Sequence, residues 1–367
     1  MKLYHMKGQE QWKILVVNPG GTSTKVAFFT GDRETSAFDI VYTPLELTRY
    51  RNSRAQADWR LNAVRDRLAE LGVRLDEIDA VVGRGGPVVP VPAGVFKVED
   101  DLIDAIFSGR VLLDHASLLG APMALALALE AGCSAFIVDP VSVDELTEPA
   151  KMTGLPGIEK LSLSHALSVG AATRAAAAEL GMAVDELNLV VLHLGSGFTV
   201  SAKKNGRQVD CESLGLMAPI RSGALPMFEL VDICFSGKWS REEIRRLIIG
   251  KGGWTALLGE HDLRKVYDRI DAGDTFARTV LDATLYGLAK QTAAMVAALG
   301  GHLDAIVVTG GLALSERFVE ELKPRISWLS GRIVVCPGGD EMKAMAQGAL
   351  RVLDGEEEAQ SMTSFLK

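Results

Sequence analysis

The chain has 367 residues, of which 48% are hydrophobic and 23% are charged, a composition typical of globular proteins. Because a single hydrophobic core stops growing at about 250–300 residues, we expect two domains. The net charge of −8 argues against a broad electrostatic grip on nucleic acid or on an anionic membrane. An anionic ligand must therefore be held by local groups.

The cysteines and the N-terminal segment bear on the compartment. The cysteines are far apart and form no C-x-x-C pair, which fits neither a zinc site nor a disulfide scaffold; they are Cys133, Cys211, Cys234 and Cys336. The leader, residues 1–12, is polar, and the most apolar run, residues 121–129, is too short to span a bilayer. We expect a cytoplasmic protein without a membrane segment.

The first half of the chain predicts an α/β layer. It begins with the run ILVVNPGGTSTKVAFF at residues 14–29, in which two apolar β-type runs flank a glycine turn, so we predict a β-hairpin. The pattern then predicts, in order, a helix over 55–71, a strand at 80–82, an extended crossing segment at 83–94, helices at 101–107 and 122–131, and a strand at 135–138. This alternation of strands and helices is the basis of the layer.

The second half repeats this order. A helix over 165–180, capped by Ser164, leads into a second hairpin over 189–202, LVVLHLGSGFTVSA. We then predict a helix ending at 249 with a capping box from Ser240 and Glu243, a helix over 277–299, strands at 305–309 and 333–335, and a helix over 342–353. The domain boundary is expected in the loop around 147–157. The acidic tail after residue 353 is expected to fray.

The tips of the two hairpins are candidate phosphate sites. Glycine tips let main-chain N–H groups close on an anion without obstruction by side chains. The tip residues are Gly20, Gly21 and Thr22 in the first hairpin and Gly195, Ser196 and Gly197 in the second. P-loop and dinucleotide-binding motifs are excluded because NPGGTSTK leads into a strand, whereas those motifs require a helix. Two tips suggest two similar domains that bind one phosphate chain.

Several sequence blocks, in order over nearly the whole chain, carry a family resemblance. They are NPGGTSTK, VVGRGGPVVPVPAG, FIVDPVSVDEL, LSHAL, HLGSG, RSGALP, ICFSGKWSREEI, DAIVVTGGLA and PGGDEMKAMAQGALRVL. With them the chain resembles the acetate and butyrate kinase family of the actin-like, sugar-kinase-like ATPase superfamily, and most closely its butyrate kinases. The resemblance implies two ribonuclease-H-like domains with a cleft between them. It also implies reversible, Mg²⁺-dependent transfer of the ATP γ-phosphoryl group to a short-chain or branched fatty acid, which yields an acyl phosphate and ADP.

The resemblance also implies a division of labour. The N-terminal domain, residues 1–150 completed by the helix at 342–356, would hold the acid, and residues 151–341 would hold the nucleotide. Arg84 would bind the carboxylate, Arg221 and His193 would stabilise the transferring group with His165 as a further candidate, and Asn18, Asp139 and Glu341 would organise Mg²⁺. The nucleotide would contact both hairpin tips and, further along the chain, Asp262, Arg264, Gly310 and Gly311. Family members commonly self-associate, so a homodimer or larger homo-oligomer is expected.

Each candidate has a simpler structural alternative. Arg84 and Arg221 could be solvated arginines in glycine loops, Asn18 a turn former, Asp139 a strand-end cap and Glu341 a helix-capping acid. A lone histidine is often a packed core residue, Gly310 and Gly311 could form a tight turn, and Asp262 with Arg264 could be an exposed salt bridge. The chemistry itself favours the arginines. A carboxylate of pKa about 4–5 is already ionised, so its transfer reaction needs positioning and charge neutralisation more than a base.

Three departures from the family pattern leave rival functions open. Gly21 stands where the family usually has serine, the segment 210–221 is short, and Gly339 replaces a glutamate. One rival is a nucleotide-binding regulatory or assembly protein that has lost catalysis. Another is a sugar-type kinase, for which Asp139 is the obvious base. Retention of both arginines speaks against the first rival.

Overall fold

The computed structural model describes residues 11–366 of an α/β chain, so most of the predicted leader lies outside the described residues. The chain divides into two compact units. The first contains the described residues up to Asp144 together with those from Asp340 onwards, and the second is Glu145–Gly339. The domain ranges 1–150 with 342–356 and 151–341 stay a prediction. Within residues 11–366, no helix combines the length and apolar character that crossing a bilayer requires.

The first unit is built on a six-stranded sheet in the order β3-β2-β1-β4-β6-β5. Its strands are β1 (Lys13–Pro19), β2 (Ser23–Thr30), β3 (Arg33–Val41), β4 (Ala80–Arg84), β5 (Val95–Lys97) and β6 (Ser134–Val138). Strands β1, β2 and β3 form an antiparallel meander, whereas β1, β4 and β6 run parallel. The helices are α1 (Pro44–Leu47), α2 (Ala57–Glu70), α3 (Asp100–Ser108), α4 (Gly120–Ala131) and α13 (Glu341–Leu353). Both α4 and α13 pack on the central strands β1 and β4.

The second unit repeats this plan with a five-stranded sheet in the order β13-β12-β7-β8-β9. Its strands are β7 (Leu189–Leu194), β8 (Phe198–Lys204), β9 (Arg207–Glu212), β12 (Ala305–Gly310) and β13 (Ile333–Pro337), with a separate short hairpin of β10 (Met217–Ala218) and β11 (Arg221–Ser222). Its helices are α5 (Glu148–Lys151), α6 (Ala166–Leu180), α7 (Met227–Phe235), α8 (Arg241–Ile248), α9 (Trp254–Leu258), α10 (Leu263–Asp271), α11 (Thr275–Ala298) and α12 (Glu316–Ile326).

The two sheets share a meander followed by parallel strands, which confirms the predicted fold class of two similar α/β domains. Both predicted hairpins are present, as β1 with β2 and as β7 with β8. The third strand of each meander, β3 and β9, was not predicted from the sequence. Strand β3 is mostly exposed on both faces, so it lacks the apolar alternation by which strands are recognised.

Alternation along the strands decides which side chains meet the packed helices. In β7, Val190 and Leu192 face the core that contains α11, whereas Leu189 and Val191 face the core that contains α6. His193 follows the second set by parity, and α6 begins directly after His165. The capping box of Ser240 and Glu243 is present at α8. The prediction that Ser164 caps α6 is wrong, because His165 takes the N-cap position.

The expectation of a frayed tail is wrong for the described residues. Beyond α13 the chain turns back to β5, where the backbone N–H of Lys97 donates to the carbonyl oxygen of Gln360 at 2.9 Å, and the N–H of Gln360 donates to that of Val95 at 2.8 Å. Met362 is 1% exposed within the core of the first unit. The acidic composition of the tail therefore gave a wrong prediction of fraying, because main-chain hydrogen bonds and one buried side chain anchor the segment.

Candidate active site

The carboxyl ends of the parallel strands of the first unit bring several sequence candidates to one edge of the sheet. Strands β1 and β4 pair in register with Ile14 opposite Ala80 and Val16 opposite Val82, so Asn18 and Arg84 come next on the same face. The same face carries α13, whose first residue is Glu341. Ligands of open α/β sheets bind at this edge.

Glu341 joins Asn18 and Arg84 through its carboxylate. One oxygen, Oε2, accepts a hydrogen bond from Nδ2 of Asn18 at 3.0 Å, and the other, Oε1, lies 3.3 Å from Nη2 of Arg84. Asp340 rather than Glu341 caps the helix, since its side chain accepts from the N–H of Lys343. Glu341 is therefore not the N-cap residue, although its place in the first turn still suits a negative charge at the helix N-terminus.

Arg84 is buried and uses only part of its donor set. The residue is 6% exposed, so the alternative of a solvated loop arginine does not hold. Its Nη1 atom has no hydrogen-bond partner within residues 11–366. A buried guanidinium N–H without an acceptor costs free energy, and an anionic ligand would remove that cost.

Asp139 follows β6 and is 2% exposed. Its Oδ1 accepts the N–H of Gly94 at 2.8 Å and its own N–H donates to the carbonyl of Gly94 at 2.9 Å. Its φ of 37° is a left-handed conformation that aspartate tolerates better than most residues. The geometry is that of a strand-end cap. No cluster of three or more acidic, histidine or cysteine side chains suited to a metal occurs in the described part of the chain.

His115, which was not predicted as a site residue, lies beside this site. Its Nδ1 lies 2.8 Å from Oγ of Ser117 and accepts the Ser117 N–H at 3.2 Å. Desolvation, with a smaller contribution from the charge of Arg84, holds the pKa of His115 below its usual value. A histidine in the loop DHASLL carries no local signal of a site, because its proximity to Arg84 depends on how α4 packs against β4.

In the second unit, the two histidine candidates lie together. The rings of His165 and His193 stack with centroids 4.4 Å apart and an interplanar angle of 25°. Nδ1 of His165 lies 2.7 Å from Oγ1 of Thr199, which lies 2.8 Å from Oγ of Ser213. This hydroxyl chain fixes the ring of His165, and the stack fixes that of His193.

Arg221 lies against the tip of the second hairpin. Its Nη1 donates to the carbonyl oxygens of Phe198 at 3.0 Å and Ser213 at 2.9 Å. Its Nε is buried without a partner, and Arg221 makes no ion pair among the described residues. Burial lowers the pKa of the guanidinium from its ordinary value, yet arginine remains charged at neutral pH. The short segment 210–221 thus supplies a carbonyl that positions Arg221.

A methyl group at Gly197 would overlap the guanidinium of Arg221, so Arg221 can keep its position only beside a glycine. A methyl at Gly195 would lie 3.3 Å from Nε2 of His193, so this ring nitrogen reaches the same tip. The backbone of Ser196 is held by the N–H of Ile220, which donates to its carbonyl at 3.1 Å. The tip therefore presents a fixed backbone flanked by a histidine and an arginine.

The nucleotide candidates further along the chain have distinct surroundings. Gly310 has a φ of 96° and lies against the backbone of Leu194, so its conformation and packing require a glycine whether or not a ligand binds. Gly311 is exposed, and the space around it is open. Asp262 caps α10 and pairs with Arg264 at 2.6 Å, and this hydrogen-bonded pairing lowers the pKa of Asp262 to about 2. Arg264 is 87% exposed in its side chain, so this pair has the geometry of the surface salt bridge.

Comparisons with known proteins agree with this architecture. Residues 153–325 match the model of the acetokinase family. The chain is 40% identical over 349 residues to a probable butyrate kinase 2 of Caldanaerobacter subterraneus, with 94% of this chain and 98% of that protein covered. It is also 40% identical over 355 residues to a probable butyrate kinase of Coprothermobacter proteolyticus, with 95% and 99% covered.

Solved structures share the fold at low sequence identity. An acetate kinase of Porphyromonas gingivalis matches with a TM-score of 0.76 at 20% identity, covering 93% of this chain and 100% of that chain. A propionate kinase of Francisella tularensis matches with a TM-score of 0.72 at 18% identity, with 92% and 99% covered. These two comparisons bear on the fold. The full-length relatives at 40% identity decide the family, and the chain belongs to the acetate and butyrate kinase family.

Proposed function

We propose that this kinase transfers the γ-phosphoryl group of ATP to a short-chain or branched fatty acid of the butyrate type. Its family membership makes it a phosphotransferase with a carboxyl group as acceptor, and the butyrate kinases among its relatives support the acid. The observation that carries the residue assignment is that buried Arg84 and half-buried Arg221 each have one buried guanidinium N–H that no described protein atom accepts.

Arg84 is assigned to the acid. Its free Nη1 is suited to one carboxylate oxygen, while Nη2 is held by Glu341 at 3.3 Å. Burial excludes water from this contact, which strengthens the charge-assisted hydrogen bond. The substrate carboxylate needs no deprotonation, so the transfer needs no general base. Asp139 is therefore not assigned as a base, in agreement with its contacts as a strand-end cap.

Arg221, His193 and His165 are assigned to the transferring group. One acid oxygen attacks the γ-phosphorus, the new O–P bond forms, and the bond from the γ-phosphorus to the β,γ-bridging oxygen breaks so that ADP leaves. Negative charge spreads over the γ-phosphoryl oxygens in the transition state. A desolvated guanidinium and an imidazole N–H at a fixed hairpin tip stabilise that charge without reorganisation. His165 positions His193 by stacking.

The residues present suit a magnesium ion held largely by the nucleotide. Magnesium usually takes one or two carboxylates, several waters and phosphate oxygens, so a cluster of three acids is not needed. Glu341 would provide the carboxylate, with Asn18 and Asp139 as the other oxygen donors. Bound there, the ion would neutralise charge on the phosphates. The hairpin tips, together with Asp262, Arg264, Gly310 and Gly311, are assigned to ATP and ADP.

Formation of hydroxamate from the acyl phosphate tests this function. The purified chain with saturating Mg-ATP and a panel of C2 to C6 acids is expected to yield product, with the largest kcat/KM for a C3 to C5 acid. A parallel panel of polyols should yield no phosphate ester. Product from no acid would refute the proposal, and product from a polyol alone would make the chain a sugar-type kinase.

Replacement of Gly21 by serine is expected to be tolerated and to raise kcat about 2- to 5-fold, because a hydroxyl donor joins the turn. A side chain fits, since an added Cβ at Gly21 meets no atom within 4 Å. The rate of acyl phosphate formation checks this, with Gly21→Ala as the control that adds the Cβ alone. An equal effect of both substitutions would contradict a role for the hydroxyl.

We also propose that the chain works in the cytoplasm, where its co-substrate ATP is made.

We further propose that the chain forms a homodimer through an exposed apolar patch on and beside α7. The patch consists of Met227, Phe228, Val231, Phe235 and Trp239, and Phe228 and Phe235 are 84% and 86% exposed. Helix α7 carries the acidic residues Glu229 and Asp232, and the adjacent α8 carries basic residues, among them Arg241 and Arg245, beside its own acidic Glu242 and Glu243. A two-fold contact can set each charge against its opposite on a second copy.

The double substitution Phe228→Ser with Phe235→Ser is expected to convert the dimer to a monomer, because it removes the largest apolar side chains of the patch. Analytical ultracentrifugation of the native chain and of the variant measures this directly. Phe276, which is 51% exposed on α11, offers the control Phe276→Ser, which should leave the mass unchanged. A native chain that sediments as a monomer would refute the proposed assembly.

A further inference from the structure

The turn between β1 and β2 rests on a buried arginine that the sequence analysis did not single out. Arg60, on the first turn of α2, is 1% exposed. Its Nη1 donates to the carbonyl oxygen of Gly20 at 2.7 Å and more weakly to that of Ser23 at 3.3 Å. Its Nη2 donates to the carbonyl oxygen of Gly21 at 3.1 Å. One guanidinium therefore binds three carbonyl oxygens of the turn.

The carbonyl oxygens of residues 20–23 all accept hydrogen bonds, whereas two backbone N–H groups of the turn donate to no described atom. The fourth carbonyl oxygen, on Thr22, accepts the N–H of Tyr42 at 2.9 Å. By contrast, the N–H groups of Gly21 and Thr22 donate to no atom of residues 11–366, and both residues are exposed. Successive N–H groups without acceptors form a concave site for an anion. By drawing the carbonyls of the turn inward, Arg60 leaves these N–H groups available to such a ligand.

The charge of Arg60 also lacks a carboxylate partner in the described part of the chain. Its Nε donates to Oε1 of Gln56 at 2.9 Å, and its guanidinium lies 4.5 Å from the ring centroid of Tyr42, so its protein neighbours are neutral. Burial lowers the pKa of Arg60, yet arginine stays charged. A buried charge without an opposite charge is destabilising. An anion bound at the turn would offset that positive charge, because the two would be separated only by the peptide groups whose carbonyl oxygens Arg60 binds.

We propose that Arg60 is a positioning residue for a phosphoryl group bound at the Gly21 and Thr22 N–H groups. Its guanidinium holds the turn in the conformation that binds the anion and places a positive charge beneath it, without touching the ligand. The identification of the anion as the transferred phosphoryl group rests on the proposed function. The anion site itself follows from the turn and the buried charge alone.

The test compares Arg60→Met, Arg60→Lys and a control, Arg65→Met, which removes a partly exposed arginine of the same helix that pairs with Glu130. Hydrogen exchange of the Gly21 and Thr22 amides is measured with and without inorganic phosphate. We expect phosphate to slow exchange in the native chain and in the control but not in Arg60→Met. We also expect kcat to fall about 10- to 100-fold in Arg60→Met with KM for the acid within about 3-fold of native.

Arg60→Lys keeps the charge and one donor group, so it should recover part of both the phosphate protection and kcat. Native protection and kcat in Arg60→Met would overturn the inference. So would unfolding of both Arg60 variants in circular dichroism, because Arg60 would then serve folding alone, and so would a KM for the acid that rises as much as kcat falls. If the native chain forms no acyl phosphate but phosphate protects the turn amides in an Arg60-dependent way, the proposed function fails and the anion site stands.

Discussion

Replacement of Arg84 by alanine is expected to lower kcat/KM for the acid about 100- to 1000-fold, while the affinity for ATP stays within about 2-fold of native. The variant removes the buried Nη1 donor and the cation next to Glu341. Bonds to an ionised partner are stronger than neutral ones, and burial adds to that difference, so the loss should exceed that of a surface contact. Hydroxamate formation gives kcat and KM, and titration calorimetry gives the dissociation constant for ATP.

Two further variants are needed to interpret this result, one that keeps the charge of Arg84 and one that serves as a surface control. Arg84→Lys keeps the charge but loses the planar fork, so its kcat/KM should lie between native and Arg84→Ala. Arg67→Ala removes an exposed arginine of α2 that pairs with Glu70, and it should leave both constants unchanged. If the affinity for ATP falls as much as that for the acid, Arg84 does not bind the acid.

Replacement of Gly197 by alanine is expected to lower kcat about 100-fold or more, a loss similar to that from removal of one oxyanion donor. The added methyl overlaps the guanidinium of Arg221, which must then leave its hydrogen bonds to the carbonyls of Phe198 and Ser213. The substitution alters no residue of the proposed acid site, so KM for the acid should change little. Single-turnover rates at saturating ATP and acid measure the chemical step.

The matched control is Gly287→Ala in α11, where an added Cβ meets no atom within 4 Å. It should keep the native rate and stabilise the chain by about 0.5–1 kcal/mol, because alanine favours helix over glycine. A thermal melt of both variants separates loss of folding from loss of activity. If folded Gly197→Ala keeps the native single-turnover rate, Arg221 has no role in the phosphoryl transfer step.

The hairpins and the hairpin-tip candidates were predictable because their signals are local. Apolar runs flanking a glycine turn specify a β-hairpin, and the position of His193 before Gly195 follows from the same letters. The acidic tail shows where local signals fail. Its composition predicts fraying, whereas Gln360 pairs with β5 and Met362 enters the core, contacts between residues more than 250 positions apart.

The strand periods and glycine turns of the sequence by themselves determined the class of fold and the approximate place of each candidate in it, because hydrophobic alternation and turn chemistry act over a few residues. Only the tertiary structure decided that Glu341 contacts Asn18 and Arg84, that Arg221 covers Gly197, and that Arg60 holds the turn at Gly20 and Gly21. These contacts depend on which helix packs on which strand, and buried polar groups then take whichever partners that packing provides. The two hairpin tips therefore look alike in sequence, yet each is supported by a different arginine from a different element.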